Sequence, residues 1–280
     1  MLALLKSLEK SRALTGKELQ EITGIETFDL WRACKSLEIE LKSIAKHYLR
    51  LDRKIPGYVR LSPSIQREFL TYTIVGVDKE KVEERSEELK KEIVNISQRK
   101  LLLAKKFVES FTDEACYIIG GDVVFDMAHS EPRPERSTGE LVRGSDLDII
   151  VIVEDDYDFK PLDKAIHDKK YLFLKTYREE VDYIVKNISK VRKQVKFESF
   201  EDKVACKILT EGKFLYGNKE IYKEVKNLLR ENKIPEKINK LEQKARKFRE
   251  EIEKMLLTKE KISESDYIYF LTTEEESEIF

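Results

Sequence analysis

The sequence carries three cysteines, Cys34, Cys116 and Cys206, far apart and never spaced as CxxC. That spacing excludes a disulfide framework and the common zinc-site pattern. The three histidines, His47, His129 and His167, are equally scattered, so histidine–cysteine metal chemistry has no footing. No apolar run approaches the roughly 18 residues of a membrane span. The opening stretch, MLALLKSLEK, turns charged at Lys6, too early for a secretory leader. A cytoplasmic protein with no membrane partner is the expectation. The formal net charge is −1, so no global basic field marks a nucleic-acid binder, and such contact would need a local patch. Glutamine and asparagine are few beside abundant lysine and glutamate, which points to a thermophilic source.

Charged residues make up 38% of the 280 positions, mixed in sign, while the apolar residues fall in periodic runs. A folded chain with a Lys/Glu-rich surface follows, not a disordered one. The length suits one large domain or two to three small ones.

Residues 1–76 read as one unit. Leu2, Leu4, Leu5 and Leu8 mark a first helix. Thr15, with Glu18 three positions on, forms a capping box for a helix Gly16–Thr23 that stops at Gly24. A third helix, Thr27–Leu37, turns Phe28, Leu30, Trp31, Cys34 and Leu37 inward. Two alternating runs, His47–Asp52 and Tyr58–Ser62, flank Arg53-Lys54-Ile55-Pro56-Gly57, a hairpin signal. Three helices and a hairpin resemble a winged helix-turn-helix. That resemblance implies DNA or RNA contact through Arg32 and Lys35, pointing out from the third helix, and through Arg53 and Lys54 on the wing, with Arg50 and Arg60 beside them. A fold used only for protein contacts is the other reading.

Residues 77–112 have apolar positions at helical spacing and no Gly or Pro, and read as a linking helix. Residues 113–218 alternate strand and helix. An apolar strand, Ala115–Ile119, ends in Gly120-Gly121. Small residues there let backbone N–H groups approach phosphate oxygens; an ordinary tight turn is the plainer reading. A polar loop spans 129–143. Gly144-Ser145 then leads into Asp146-Leu147-Asp148 at the start of a strong strand, Leu147–Val153. Strand side chains alternate, so both carboxylates share one face. Paired anions repel unless a cation stands between them, and Mg²⁺ (or Mn²⁺) is the natural choice. Asp182, on the run Val181–Val185, offers a third carboxylate. Helices at 162–178 and 199–211 and a strand Lys213–Gly217 complete the region. Residues 219–280 read as a helical C-terminal region, broken near Pro235, which leaves open whether it caps the site or builds a homodimer.

The order Gly-Gly, then Gly-Ser-Asp-Leu-Asp-Ile-Ile-Val-Ile-Val, then a later strand acid resembles the DNA polymerase beta-like nucleotidyltransferase superfamily, in its minimal and kanamycin-type members. The stretch Lys203–Gly217 is similar to the helix and strand that close such domains. The resemblance covers about residues 100–218. It implies an α+β fold with a mixed sheet flanked by helices, and two-metal transfer of a nucleoside monophosphate from NTP to an acceptor on protein, RNA or a small molecule. Asp146, Asp148 and Asp182 would hold the metals. Gly120, Gly121, Arg143, Gly144, Ser145, Lys203 and Lys207 would face the nucleotide. Two departures stand out. The family usually has Gly-Ser where this chain has Gly120-Gly121, and Val123–Arg143 is an insertion carrying Arg133, Arg136 and Arg143, candidates for phosphate contact. A nucleic-acid-binding regulator or antitoxin-like module is the alternative from another class, and a nucleotide second-messenger synthase is a third.

Overall fold

The computed structural model describes residues 12–37, 39–135 and 138–271. The first helix read from Leu2, Leu4, Leu5 and Leu8 lies outside these residues, as do Arg136 and the acidic end of the chain. The fold is mixed α+β, built as two compact units. One holds the described residues up to Glu92 together with those from Lys240 on, and the other holds Ile93–Asn239. Two long helices, Lys79–Val108 and Ile234–Thr258, each contribute to both units. The segment 77–112 that reads as a link in the sequence therefore supplies core residues as well.

In the first unit, Thr15 accepts from Glu18 N and Glu18 returns the bond to Thr15 N, the reciprocal cap that its spacing predicts. Gly24, with φ of 65°, ends that helix. The helix Thr27–Ser36 buries Phe28, Leu30, Trp31 and Cys34, the face its periodicity indicates. Phe270 closes over it, 5.0 Å from the Phe28 ring and 5.4 Å from Trp31. The strands are richer than the alternation suggests. Leu14–Thr15 (β1), Glu40–Ser43 (β2) and Thr73–Gly76 (β5) make a three-stranded sheet in the order β1-β5-β2. Tyr48–Leu51 (β3) and Val59–Ser62 (β4) form the expected hairpin, but as a separate two-stranded sheet. A helical segment, Ile65–Tyr72, sits between β4 and β5.

The second unit carries a four-stranded sheet in the order β10-β9-β6-β11, made of Val181–Asn187, Leu147–Val153, Cys116–Ile119 and Lys213–Gly217. β6 runs antiparallel to β9 and β11, while β9 and β10 are parallel. The helix Lys160–Tyr177 joins β9 to β10. It buries Leu162, Ile166 and Phe173 against one sheet face, with Leu147, Ile149, Val151 and Val153 of β9 and Phe107 of the long helix. The even-numbered residues of β9 face the other side. There the helix Phe200–Glu211 begins in a Ser199 capping box and buries Cys206, Ile208 and Leu209. Its C-terminus is capped from outside. Lys226 Nζ donates to the carbonyls of Leu209, Thr210 and Gly212 at 2.6–2.9 Å. The insertion is a correction to the sequence reading. Residues read as a polar loop form a hairpin of their own, Pro132–Pro134 (β7) paired with Leu141–Arg143 (β8). Short strands rich in Pro and Arg carry no apolar alternation, so the pattern misses them. No helix among the described residues is long and apolar enough to cross a membrane.

Candidate active site

The acids sit where β9 and β10 begin. Asp182 is the register partner of Asp148. One step earlier, Leu147 N donates to Glu180 O at 2.9 Å, which brings Asp146 alongside Glu180. In-register neighbours point to the same side of a sheet, and residues two apart return to that side. Asp146, Asp148, Glu180 and Asp182 therefore form a two-by-two array of carboxylates. Asp148 is 3% exposed and Glu180 8%. Burial raises the Asp182 carboxyl to about 7, with the negative charges of Asp146 and Glu180 adding to it. Burial also raises Glu180, against the pull of Arg133. Like charges held together in a partly dry place are the setting that a cation relieves.

Glu180 is absent from the sequence candidates, yet its signal was there. Glu180-Val181-Asp182 repeats the acid–apolar–acid spacing of Asp146-Leu147-Asp148.

The glycine turn is shaped around Asp148. Gly120 N donates to Asp148 O at 2.9 Å. Gly121 has φ of 65°, and a Cβ there would lie 1.8 Å from Asp148 Oδ2. Where the sequence puts a phosphate against this pair, the structure puts the protein's own carboxylate. Ile208, on the helix bearing Lys203 and Lys207, packs against Gly120, so that helix lies over the same end of the sheet. Lys207 pairs with Glu211 at 2.7 Å and stands 5.8 Å from the Phe125 ring centre. The Lys203 side chain is half-buried, with no ion pair or hydrogen bond among the described residues.

The residues leading into β9 are held mainly by backbone. Arg143 N donates to Arg178 O at 2.8 Å, Arg143 O accepts from Lys100 Nζ at 2.7 Å, and the Arg143 side chain is exposed. Lys100 also pairs closely with Glu179, both side chains being 1% exposed. That buried pair fixes the starts of β9 and β10 to one helix. Ser145 is buried, and its hydroxyl donates to Asp122 Oδ2 at 2.8 Å and accepts from His129 N at 3.2 Å. Gly144 O accepts from Arg133 Nε at 2.9 Å. Arg133 Nη2 then reaches Glu180 Oε2 at 2.6 Å and Asp146 Oδ2 at 3.6 Å. Of the two described arginines on the insertion, Arg133 is the one brought to the acids. Among the described residues, no three acidic, histidine or cysteine side chains converge as a ready ion cage.

The cations assigned to nucleic acid divide. Arg32 does not project outward. Its Nη2 donates to Leu257 O at 3.2 Å and Lys259 O at 3.1 Å, at the C-terminal end of the helix Ile234–Thr258, where unpaired carbonyls attract a cation. Arg60 is likewise buried, with Nε 3.0 Å from Asp52 Oδ2 inside the hairpin. Lys35, Arg53 and Lys54 are exposed.

No protein-family model, curated protein or solved structure matches this chain.

Proposed function

We propose that the chain is a metal-dependent nucleotidyltransferase, moving a nucleoside monophosphate from NTP to an acceptor hydroxyl on protein, RNA or a small molecule and releasing pyrophosphate. The observation that carries this reading is the pairing of Asp148 with Asp182 on neighbouring parallel strands, with Asp146 beside them. A mixed sheet flanked by helices, with a Gly-Gly turn ending β6 and acids opening β9 and β10, supports a nucleotidyltransferase-like domain. The donors are all carboxylate oxygen and mutually repulsive, which fits Mg²⁺ or Mn²⁺. Asp146, Asp148 and Asp182 would hold the ion. When bound, it supplies Lewis acidity for the acceptor hydroxyl and neutralises the triphosphate. Gly121 leaves the space that Asp148 needs. Arg133 and Lys203 supply positive charge next to the acids and on the covering helix, suited to phosphate oxygens.

For the first unit we infer a winged-helix-like domain, on the strand order β1-β5-β2 beside two helices. The regulator reading rests on exposed Lys35, Arg53 and Lys54, and it is weakened by the internal use of Arg32. Labelled ATP, GTP, CTP and UTP, incubated with the protein, Mg²⁺ and cell extract, separate the two. Label that reaches protein, RNA or a small product, and is lost in Asp148→Asn, supports the enzyme. A salt-sensitive duplex shift with no label transferred overturns it in favour of the regulator.

A further inference from the structure

The acid array carries a cation of its own. Arg133 lies on β7, opposite Val142 of β8, and that hairpin lays its guanidinium among the carboxylates. The planar fork of the guanidinium can meet several oxygens at once. Two of its contacts are close, a hydrogen bond from Nε to Gly144 O at 2.9 Å and an ion pair between Nη2 and Glu180 Oε2 at 2.6 Å. The third, Nη2 to Asp146 at 3.6 Å, is longer. Asp146 can therefore turn away while Gly144 and Glu180 still anchor the arginine.

Resting on the metal site proposed above, we propose that Arg133 is the resident counter-ion of the array and competes with the divalent cation for Asp146, so that this one residue of the inserted hairpin sets the metal affinity. A metal-free array is then not left as bare negative charge, and the site loads only where the free divalent ion is concentrated enough to displace an arginine.

The test is a Mn²⁺ titration of the full chain, read as loss of the free-ion electron paramagnetic resonance signal, with no nucleotide present. Arg133→Met is expected to bind Mn²⁺ roughly tenfold tighter than the wild type, because a unit charge a few ångströms from the ion is gone. Arg133→Gln, which can still donate to Gly144 O, is expected to do the same and serves if the Met variant does not fold. Arg133→Lys restores the charge and should return the affinity toward the wild-type value. Arg178→Met is the charge-matched control. It removes an exposed cation bonded to Glu140 near the same hairpin and should shift affinity by less than about twofold, since exposed charges are screened. Wild-type binding that is equal or weaker in Arg133→Met and Arg133→Gln overturns the inference and leaves the metal site standing. No Mn²⁺ binding by wild type or variants overturns the metal site itself, and the inference with it.

Discussion

A Cβ on Gly121 would lie 1.8 Å from Oδ2 of Asp148, so the turn after β6 and the acid of β9 are fitted to one another. Gly121→Ala would also put an L side chain at φ of 65°, costing roughly 1–2 kcal/mol. Two effects should follow: a modest fall in melting temperature, and a larger loss of Mn²⁺ binding and label transfer as the Asp148 carboxylate is pushed aside. An alanine variant with wild-type transfer would break the link between turn and site.

Asp182 makes the second unit pH-sensitive. Its folded carboxyl is raised to about 7 from an ordinary 3.8. Above 3.8 the unfolded chain releases this proton while the folded chain still holds it. Stability from this group is thus fully present below 3.8, falls as pH climbs, and is gone above about 7, with a slope of up to about 1.4 kcal/mol per pH unit. Melting of the metal-free protein from pH 4 to 8 should show that decline. Asp182→Asn should flatten the curve, and Mg²⁺ should restore stability at pH 8 in the wild type alone.

Glu68 has the opposite sign. Burial alone would raise its carboxyl, but the hydrogen bond from His47 and the charge of Arg249 outweigh it and hold the group at about 2. His47 Nε2 and Arg249 Nη2 stand 2.7 and 2.6 Å from Oε2, and Ser43 Oγ donates to Oε1 at 2.7 Å. This stability is present above the ordinary 4.5 and is lost as pH falls toward 2. Glu68→Gln should cost about 2 kcal/mol at neutral pH, since Arg249 and His47 lose their charged partner while Arg249 keeps Glu253 and Pro63 O. Acid titration by circular dichroism should find the variant less sensitive between pH 5 and 2.

Arg32 separates packing from recognition. Arg32→Met removes two carbonyl contacts at a helix end and should destabilise by about 1–2 kcal/mol. It should leave any duplex binding unchanged at a temperature where the variant is folded. The triple change Lys35→Gln, Arg53→Gln, Lys54→Gln should do the reverse, leaving melting intact and removing salt-dependent binding if there is any to remove. A gel-shift series over salt checks both.

The sequence was most legible where local rules act alone. The Thr15–Glu18 cap, the Gly24 stop, the buried stripe Phe28–Cys34 and the start of β9 at Leu147 can all be read from spacing. Asp146, Asp148 and Asp182 follow from alternation within a strand, and their meeting follows from register between strands. Elements defined by distant partners were hidden. β5 pairs with β2 on one side and, from far along the chain, with β1 on the other. Arg32 reads as outward on a helical wheel because its acceptors, Leu257 and Lys259, lie in another part of the sequence. Arg133 and Arg143 look equivalent in a polar run, and only the β7–β8 pairing sends one to the acids and leaves the other exposed.

The four carboxylates all lie within one strand–helix–strand segment, Asp146 to Asp182. Closing that short loop brings the whole negative array together within one stretch of chain. The glycine turn and the arginine come from outside the segment; the turn is fitted to Asp148, while the arginine, on the inserted hairpin, can change without altering the strand register. The segment is therefore a portable anionic cassette. Evolution could tune such a cassette by exchanging the hairpin above it, adjusting how readily the site takes up metal while the acids stay as inherited.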